Sequence, residues 1–464
     1  MKSRNDRRKR VSCAVLAFLM LFLSPIDVKA DMYWPQGPSI YTPSAIVIEI
    51  NSGAVLYEKN SNEQNYPASI TKIMTTLLAL EHSSMDELVT FSDDAIRYNQ
   101  GDTSHIARDY DEVMTMEQCL YAVMLESANE CAYAVAEHVG QKLGGDYRTF
   151  IDLMNQKAKE LGCTNTHFNN ANGLPDKEHW TSAHDMGLIS AAAYKNAIFR
   201  EIVGTRSYRI PPTNKHDEIT PLNNHHAMIS NHRTRKYLYE YCTGGKTGYT
   251  VAAGSTLVTY AEKDDLALVC VVMRTDGTSQ YTDTTNLLEN CFKNFHAVNI
   301  GENGYAGGET KEENGFMNTY PSFVKLDENA HVVLPNTADI SDVELSVVKD
   351  KVSDKAIARL KYTYDGHVAG LVDVVLSGAS VEDNFFKEKE PSTEKNIILI
   401  RKEVIFIGLG ILVVLLILIV AGKKLYDNYY VIMHDMKVRK KRRDRFRPVS
   451  KRRRRRKRRD RMFK

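Results

Sequence analysis

Three short clusters, Ser69-Ile70-Thr71-Lys72, Ser127-Ala128-Asn129 and Lys246-Thr247-Gly248, hold the residue types that nucleophilic acyl transfer needs. A serine hydroxyl is a poor nucleophile until a base takes its proton. Pro67-Ala68 precedes a helix-forming stretch, so Ser69 is expected to open a helix with Lys72 one turn on, on the same face. A lysine partly buried beside other cations loses basicity and can act as that base. The helix N-terminus adds positive potential and backbone donors where an oxyanion would form. Ser127 and Asn129 interrupt an apolar helical run, which reads as a loop between two buried helices that pushes a hydroxyl and an amide into a cleft. Lys246 and Thr247 follow Gly244-Gly245 and can present a cation and a hydroxyl to a substrate carboxylate. A small residue at Gly248 lets a ligand lie against a strand edge.

Each cluster alone has an ordinary reading. Ser69 could cap a helix beside a solvated Lys72, Ser127 could cap the next helix, and Lys246 could sit on a surface turn. The signal lies in the three together, in this order.

The elements that must position them are spread along the chain. Apolar runs at 45–50 and 54–57 predict a hairpin turning at Asn51-Ser52-Gly53. Helices are expected over 69–82 and 116–139, the second broken at Ser127. Strands at 255–261 and 266–273 turn at Lys263-Asp264-Asp265, and a helix over 284–295 closes the domain. Strands at both ends with helices between predict an α+β domain whose sheet joins distant pieces of chain. A Gly- and Glu-rich connection at 301–314 leads to short alternating runs over 315–380, a small all-β module.

The chain has 464 residues, 43% hydrophobic and 26% charged, which excludes a disordered or collagen-like protein. Its net charge of +3 hides a segregation. Of 61 basic and 58 acidic residues, 1–30 carry seven and two, and 423–464 carry 21 and four. The body between has 33 basic and 52 acidic residues, about −19, which excludes a nucleic-acid-binding domain. Residues 1–30 read as a signal peptide with a basic start, an apolar run from Val11 to Leu23, and small residues before Asp31. Residues 404–422 are 19 uncharged residues, about 28 Å of helix, and predict one transmembrane span. The positive-inside rule then places the basic tail in the cytoplasm and the acidic body outside, at the cell membrane. A charged segment at 386–403 reads as a stalk. The tail is expected to bind anionic lipid or an acidic partner.

Cys119, Cys131, Cys163, Cys242, Cys270 and Cys291 show no zinc-like or CxxC spacing and are expected to be buried free thiols. His225-His226 and the pairs Glu178-His179 and His184-Asp185 match no metalloenzyme spacing, so no metal site is expected.

With these motifs the chain resembles the serine-type D-alanyl-D-alanine carboxypeptidases, the low-molecular-mass penicillin-binding proteins. The likeness runs over about 35–295 and includes Pro67 to Thr75, Phe150 to Asn155, Thr166-His167-Phe168-Asn169, Asn172-Gly173-Leu174 and Ser182 to Met186. It implies a β-lactamase/transpeptidase-like catalytic domain over 31–300, with an antiparallel sheet, helices on both faces and a helical subdomain. The β module at 301–385 would follow. By position, Ser69 is the acylated nucleophile, Lys72 its base, and Ser127 the relay to the leaving D-alanine nitrogen. Asn129 orients the substrate amide, Lys246 supplies electrostatics, and Thr247 holds the terminal carboxylate. The backbone N–H groups of Ser69 and Tyr249 form the oxyanion hole beside Gly248. Peptidoglycan stem peptides ending in D-Ala-D-Ala and β-lactams are the implied partners, with no cofactor.

Two departures stand out. Tyr249 replaces a histidine found in many relatives. The segment Ser279-Gln280-Tyr281-Thr282-Asp283 lacks an arginine that many relatives use on the carboxylate, and Arg274 is the nearby candidate to replace it. The rival readings are a β-lactamase, for which no water-activating carboxylate is evident, and a catalytically idle penicillin-binding sensor.

Overall fold

A strand buried at successive positions is covered on both faces, and the three inner strands of the central sheet are of this kind. The computed structural model describes residues 32–97, 103–300, 324–326, 330–348 and 356–376, with Lys423, His434, Lys437 and Arg439 as isolated helical residues. The chain divides into two compact units, Met1–Phe385 and Phe386–Lys464, and the fold described is that of the first.

β1 (Ser44–Glu49) and β2 (Val55–Lys59) form the expected hairpin. Gly53 takes φ +72° in its turn, a conformation natural to glycine. β3 (Cys242–Thr250), β4 (Gly254–Lys263) and β5 (Leu266–Thr275) complete an antiparallel sheet in the order β2-β1-β5-β4-β3. β1 pairs with β5 from Ser44 opposite Met273 to Glu49 opposite Leu268, joining the two ends of the domain. β3, which carries Lys246 and Thr247, is an edge strand.

Ile46, Ile48, Tyr260, Val269 and Val271 face a helical side. It comprises α1 (Lys72–His82), α2 (Met116–Tyr121), α3 (Asn129–Lys142), α4 (Tyr147–Glu160), α5 (Ala183–Tyr194) and α6 (Ala197–Gly204). Ala45, Val47, Leu268 and Val272 face the other way, toward Leu287 and Leu288 of α7 (Ser279–Asn294). The sheet thus has helices on both faces, as expected. α7 begins five residues before the expected 284. Its polar first turn looked like connection, but the Asp283 carboxylate accepts bonds from Thr42 N and Oγ1 at 2.7 and 2.6 Å, so a tertiary partner makes a buried helix of it.

The β module is present. β6 (Phe295–Asn299) continues from α7 and pairs with β8 (His331–Pro335). β7 (Val324–Leu326), β9 (Glu344–Val348), β10 (Ala356–Tyr364) and β11 (His367–Leu376) form a sheet in the order β7-β11-β10-β9. The module shares one apolar core with the outer face of the main sheet. Leu371 N donates to Ser52 O, and the Trp34 and His367 rings stack at 4.6 Å.

Among the described residues no helix is long and apolar enough to cross a membrane. The signal segment 1–30, the connection at 301–314, the stalk, the span at 404–422 and nearly all of the basic tail lie outside the described residues. The six cysteines from Cys119 to Cys291 are buried and free, and burial raises the pKa of every one of these thiols.

Candidate active site

Ser69 lies in a 3-10 turn, Ala68–Thr71, that runs into α1. It therefore stands one turn ahead of the α-helix rather than capping it, and no side chain caps this turn. Ala68 is held at φ +53°, a left-handed conformation unfavourable for a residue with a Cβ. Its surroundings fix it there: Thr256 Oγ1 of β4 donates to Pro67 O at 2.9 Å. On the other side a Cβ added to Gly173 would lie 1.9 Å from Ala68 O.

Lys72 is fully buried, which overturns the reading of it as a solvated surface lysine. Its Nζ donates to Ser69 Oγ at 3.1 Å, Asn129 Oδ1 at 2.7 Å and Asn172 O at 2.5 Å. An ammonium has three N–H donors, and all three have acceptors. In the neutral amine, the two strong acceptors Asn129 and Asn172 hold two N–H groups and leave the lone pair facing Ser69 Oγ. Burial lowers the lysine pKa well below its ordinary value, and the nearby Lys246 lowers it further. Glu130 and Cys131 act in the opposite direction.

The turn between α2 and α3 brings in the second cluster. α2 is capped by Thr115 and Gln118 and runs into a π-helical turn, Ala122–Glu126. The wide turn ends at Ser127 with φ +62° and ψ +30°. The expected loop is this one residue plus Ala128, and Asn129 already begins α3. Ser127 Oγ is buried and has no hydrogen-bond partner within the protein. Asn129 uses Oδ1 on Lys72 and its backbone N–H on Ser104 O, so its side-chain NH2 remains available.

β3 forms the facing wall. A Cβ on Gly248 would lie 2.9 Å from Ser69 N and 2.4 Å from Thr256 Oγ1, so only glycine lets this strand meet the nucleophile's backbone. Lys246 is buried, with 1% of its surface exposed, and Nζ reaches Thr247 O at 3.0 Å. Burial lowers its pKa to about 7, Glu126 opposes that shift, and Arg233 adds to it. Tyr249 follows on the strand with 69% of its surface exposed.

These pieces enclose a cleft of about 850 Å³ lined by Ser69, Ser127, Asn129, Thr247, Gly248 and Tyr249 among others. Every predicted site residue except the two buried lysines lines it, and those two sit directly beneath. Arg274 is not among the lining residues. It is drawn away to Glu63 at 2.8 Å, which overturns it as the replacement arginine. Instead Arg233 lines the cleft, with Nη2 3.2 Å from His225 Nε2. Gln280 lines the cleft as well, and its buried Oε1 has no partner within the protein. The sequence reading missed Arg233, Gln280 and the carbonyl of Asn172 as site groups. The histidines considered as metal ligands have other partners. His225 bonds Glu126 at 2.7 Å, His226 bonds Val258 O at 3.1 Å, and His184 contacts Asp185 at 3.3 Å. Among the described residues no group of three or more metal-ligating side chains occurs.

Because a Lys246 cation depresses Lys72, replacing Lys246 with glutamine is expected to raise the Lys72 pKa. The acidic limb of the acylation rate then moves to higher pH, by about half a unit. A pH series of penicillin labelling measures this, and an unmoved limb would show the two amines to be uncoupled.

A buried amine on a serine at a helix start, a second serine opposite and a glycine-floored edge strand together define a serine acyl-transfer enzyme of the DD-peptidase fold. Residues 32–277 match the model of the D-alanyl-D-alanine carboxypeptidase family, and the chain belongs to that family. It is 30% identical over 319 residues to the D-alanyl-D-alanine carboxypeptidase DacF of Bacillus subtilis, covering 67% of this chain and 77% of that one. It is 26% identical to DacA of Haemophilus influenzae, covering 76% and 89%. Among solved structures, a Streptomyces DD-transpeptidase superposes with TM-score 0.51 at 25% identity, covering 56% of this chain and all of that one. DacD of Francisella tularensis, at 21% identity, shares the fold over 74% of this chain and 95% of its own, with TM-score 0.55.

Proposed function

We infer that this serine-type peptidase removes the terminal D-alanine from peptidoglycan stem peptides through an acyl-enzyme on Ser69. The observation that carries the reading is the Lys72 amine, buried and hydrogen-bonded at once to Ser69, Asn129 and Asn172. Ser69 Oγ gives its proton to the Lys72 amine and bonds to the carbonyl carbon of the penultimate D-alanine. The oxyanion is received by the N–H groups of Ser69 and Tyr249, each worth about 10²–10³ in rate. Ser127 Oγ, unpartnered and facing the cleft, takes that proton back from Lys72 as it gives its own to the leaving D-alanine nitrogen and the C–N bond breaks. Water then attacks the ester carbon, Lys72 takes its proton and passes it to Ser69 Oγ as the ester C–O bond breaks, and both groups return to their starting state.

Thr247 and Arg233 hold the substrate's terminal carboxylate, and Asn129 holds its amide. Arg233 supplies a guanidinium to a cleft whose described lining contains no Asp or Glu. Arg233→Ala is expected to raise KM for a free-carboxylate peptide about tenfold, the value of one charge-assisted bond at a partly exposed site. A peptide ending in a carboxamide should lose little. An equal effect on both would remove Arg233 from this role.

β-Lactams acylate the same serine, since they mimic the D-Ala-D-Ala end. The signal-like residues 1–30 and the uncharged run 404–422 support a site of action at the cell membrane, with the catalytic unit outside and the basic tail toward anionic lipid or an acidic partner in the cytoplasm. The β module acts as a spacer toward the wall. The deciding experiment incubates the protein and Ser69→Ala with a labelled penicillin and a D-Ala-D-Ala peptide. Label and D-alanine release are both expected from the parent, and neither from Ser69→Ala. Label without release would favour an idle sensor, rapid loss of the label a β-lactamase, and absence of both would remove the enzyme reading.

A further inference from the structure

The lysine that activates Ser69 depends on a stretch of chain with no catalytic side chain of its own. Asn172 O accepts a hydrogen bond from Lys72 Nζ, and Ala171 O accepts one from Thr75 Oγ1 of α1 at 2.6 Å. Gly173, at φ +85°, lies against the Ala68-Ser69 peptide so closely that an added Cβ would be 3.0 Å from Ser69 N. The stretch is stiffened internally. Asn170 Oδ1 accepts from Gly173 N at 2.7 Å, and its amide donates to Leu174 O at 2.9 Å. Where residues 169–174 sit therefore decides how Lys72 and the nucleophile's backbone are held.

One buried side chain, His179, touches both this stretch and the nucleophile turn. It is 1% exposed. Its Nδ1 lies 3.0 Å from Asn169 N and 3.4 Å from Asn170 N. Its Nε2 lies 2.9 Å from Thr71 Oγ1, on the residue between Ile70 and Lys72. A backbone N–H can only donate, so Nδ1 is the acceptor and carries no proton. The single ring proton is then on Nε2 and is donated to Thr71 Oγ1.

We propose that His179 is a positioning residue for acyl transfer, a neutral imidazole that ties residues 169–174 to the Ser69 turn and so keeps the Asn172 carbonyl on Lys72. This rests on the acyl-enzyme reading above. A proton on Nδ1 would set a donor against two backbone donors. Burial lowers the His179 pKa to about 3; His167 and Lys72 also disfavour the cation and Asp176 favours it. The ring is therefore neutral throughout the working range and acts by geometry.

Loss of the tie has a signature that general loosening lacks. When the Asn172 carbonyl recedes, the Lys72 ammonium loses an acceptor and binds its proton less tightly. The groups that face Lys72, namely Lys246 on β3 and Glu130 and Cys131 on α3, are unchanged. The acidic limb of the acylation rate then moves to lower pH, while the less well aimed amine makes the plateau slower.

The test uses the full chain and compares the parent with His179→Leu, His179→Gln and Thr71→Val. Penicillin acylation and peptide hydrolysis are followed from pH 5 to 9, with thermal unfolding alongside. His179→Leu is expected to slow acylation about tenfold, acting on kcat more than KM, and to move the acidic limb down by about half a unit. His179→Gln keeps one donor and one acceptor and is expected to recover most of the rate. Thr71→Val, which removes only the hydroxyl, is expected to match His179→Leu, and the double variant to be no slower than either. A folded His179→Leu with parental rate and limb overturns the proposal. So does a slower rate with an unmoved limb and no recovery in His179→Gln. If His179→Leu does not fold, Thr71→Val decides alone by the same two readings. A parent protein that takes no label overturns the acyl-enzyme reading itself, and this is seen before any variant is compared.

Discussion

Lys72→Met is expected to lower acylation of Ser69 about 10⁴-fold, the upper range of general-base catalysis, without lowering the thermal midpoint by more than a few degrees. The loss of rate follows from the site's geometry. Lys72 Nζ is the amine that contacts Ser69 Oγ, and the next amine, Lys246, is bonded to Thr247 O instead. The small change in stability follows from opposed effects. Methionine leaves Asn129 Oδ1 and Asn172 O without their donor, at about 1–3 kcal/mol each. It also removes a fully buried amine whose charging is resisted by burial and by Lys246, a penalty of several kcal/mol when the ion is formed. The pH dependence separates these effects. Lys72 has a folded pKa well below its unfolded value of about 10.5. Between those two values the unfolded chain binds a proton that the folded chain does not, so the parent gains stability from Lys72 as pH rises through that window. The variant lacks this gain. Its midpoint relative to the parent should fall as pH rises toward the unfolded value, and a difference independent of pH would mean that Lys72 is charged in the folded protein. Penicillin labelling and thermal unfolding at several pH values supply both readings.

The parts of this molecule that were legible in its sequence are those where one residue type does one job. Short continuous apolar runs located β1, β4 and β5, because a strand covered on both faces must be apolar at successive positions. The three clusters located the site, because their side chains carry the chemistry. What escaped was supplied by backbone or by tertiary context. Asn172 contributes a carbonyl, which any residue possesses, so its type gives no clue beyond the Gly173 that follows it at φ +85°. Arg233 comes from the irregular stretch 224–241 before β3, where no periodicity indicates which side chains turn inward. Arg274 was nearer in sequence to the expected position, but a positive φ of +59° and an ion pair with Glu63 take it elsewhere. The break at Ser127 was visible as polarity within an apolar run. Its form, a π-helical turn closed by one left-handed residue, was not, since nothing in Ala122 to Glu126 encodes the extra residue per turn.

Ser127→Gly is expected to reduce turnover about 10²–10³-fold while making the protein more stable, by about 1 kcal/mol. Ser127 sits at φ +62°, where an L-residue is disfavoured by about 1–2 kcal/mol relative to glycine, and its buried hydroxyl has no partner in the protein. Both features are unfavourable to folding, and both follow from placing a hydroxyl in the cleft rather than back against α2. Glycine relieves the backbone and removes the hydroxyl, against about 0.4–1 kcal/mol for the greater freedom it gives the unfolded chain. Ser127→Ala isolates the second feature, since it deletes the hydroxyl and keeps the strained conformation. The two variants should therefore lose turnover equally, with penicillin acylation impaired in both, while glycine melts higher than alanine. If alanine melts as high as glycine, the strain does no more than offset the freedom glycine gives the unfolded chain, and the net stabilisation belongs to the hydroxyl. If both variants retain turnover, the proton reaches the leaving nitrogen by another route, and the conformation of Ser127 has no catalytic purpose to explain it.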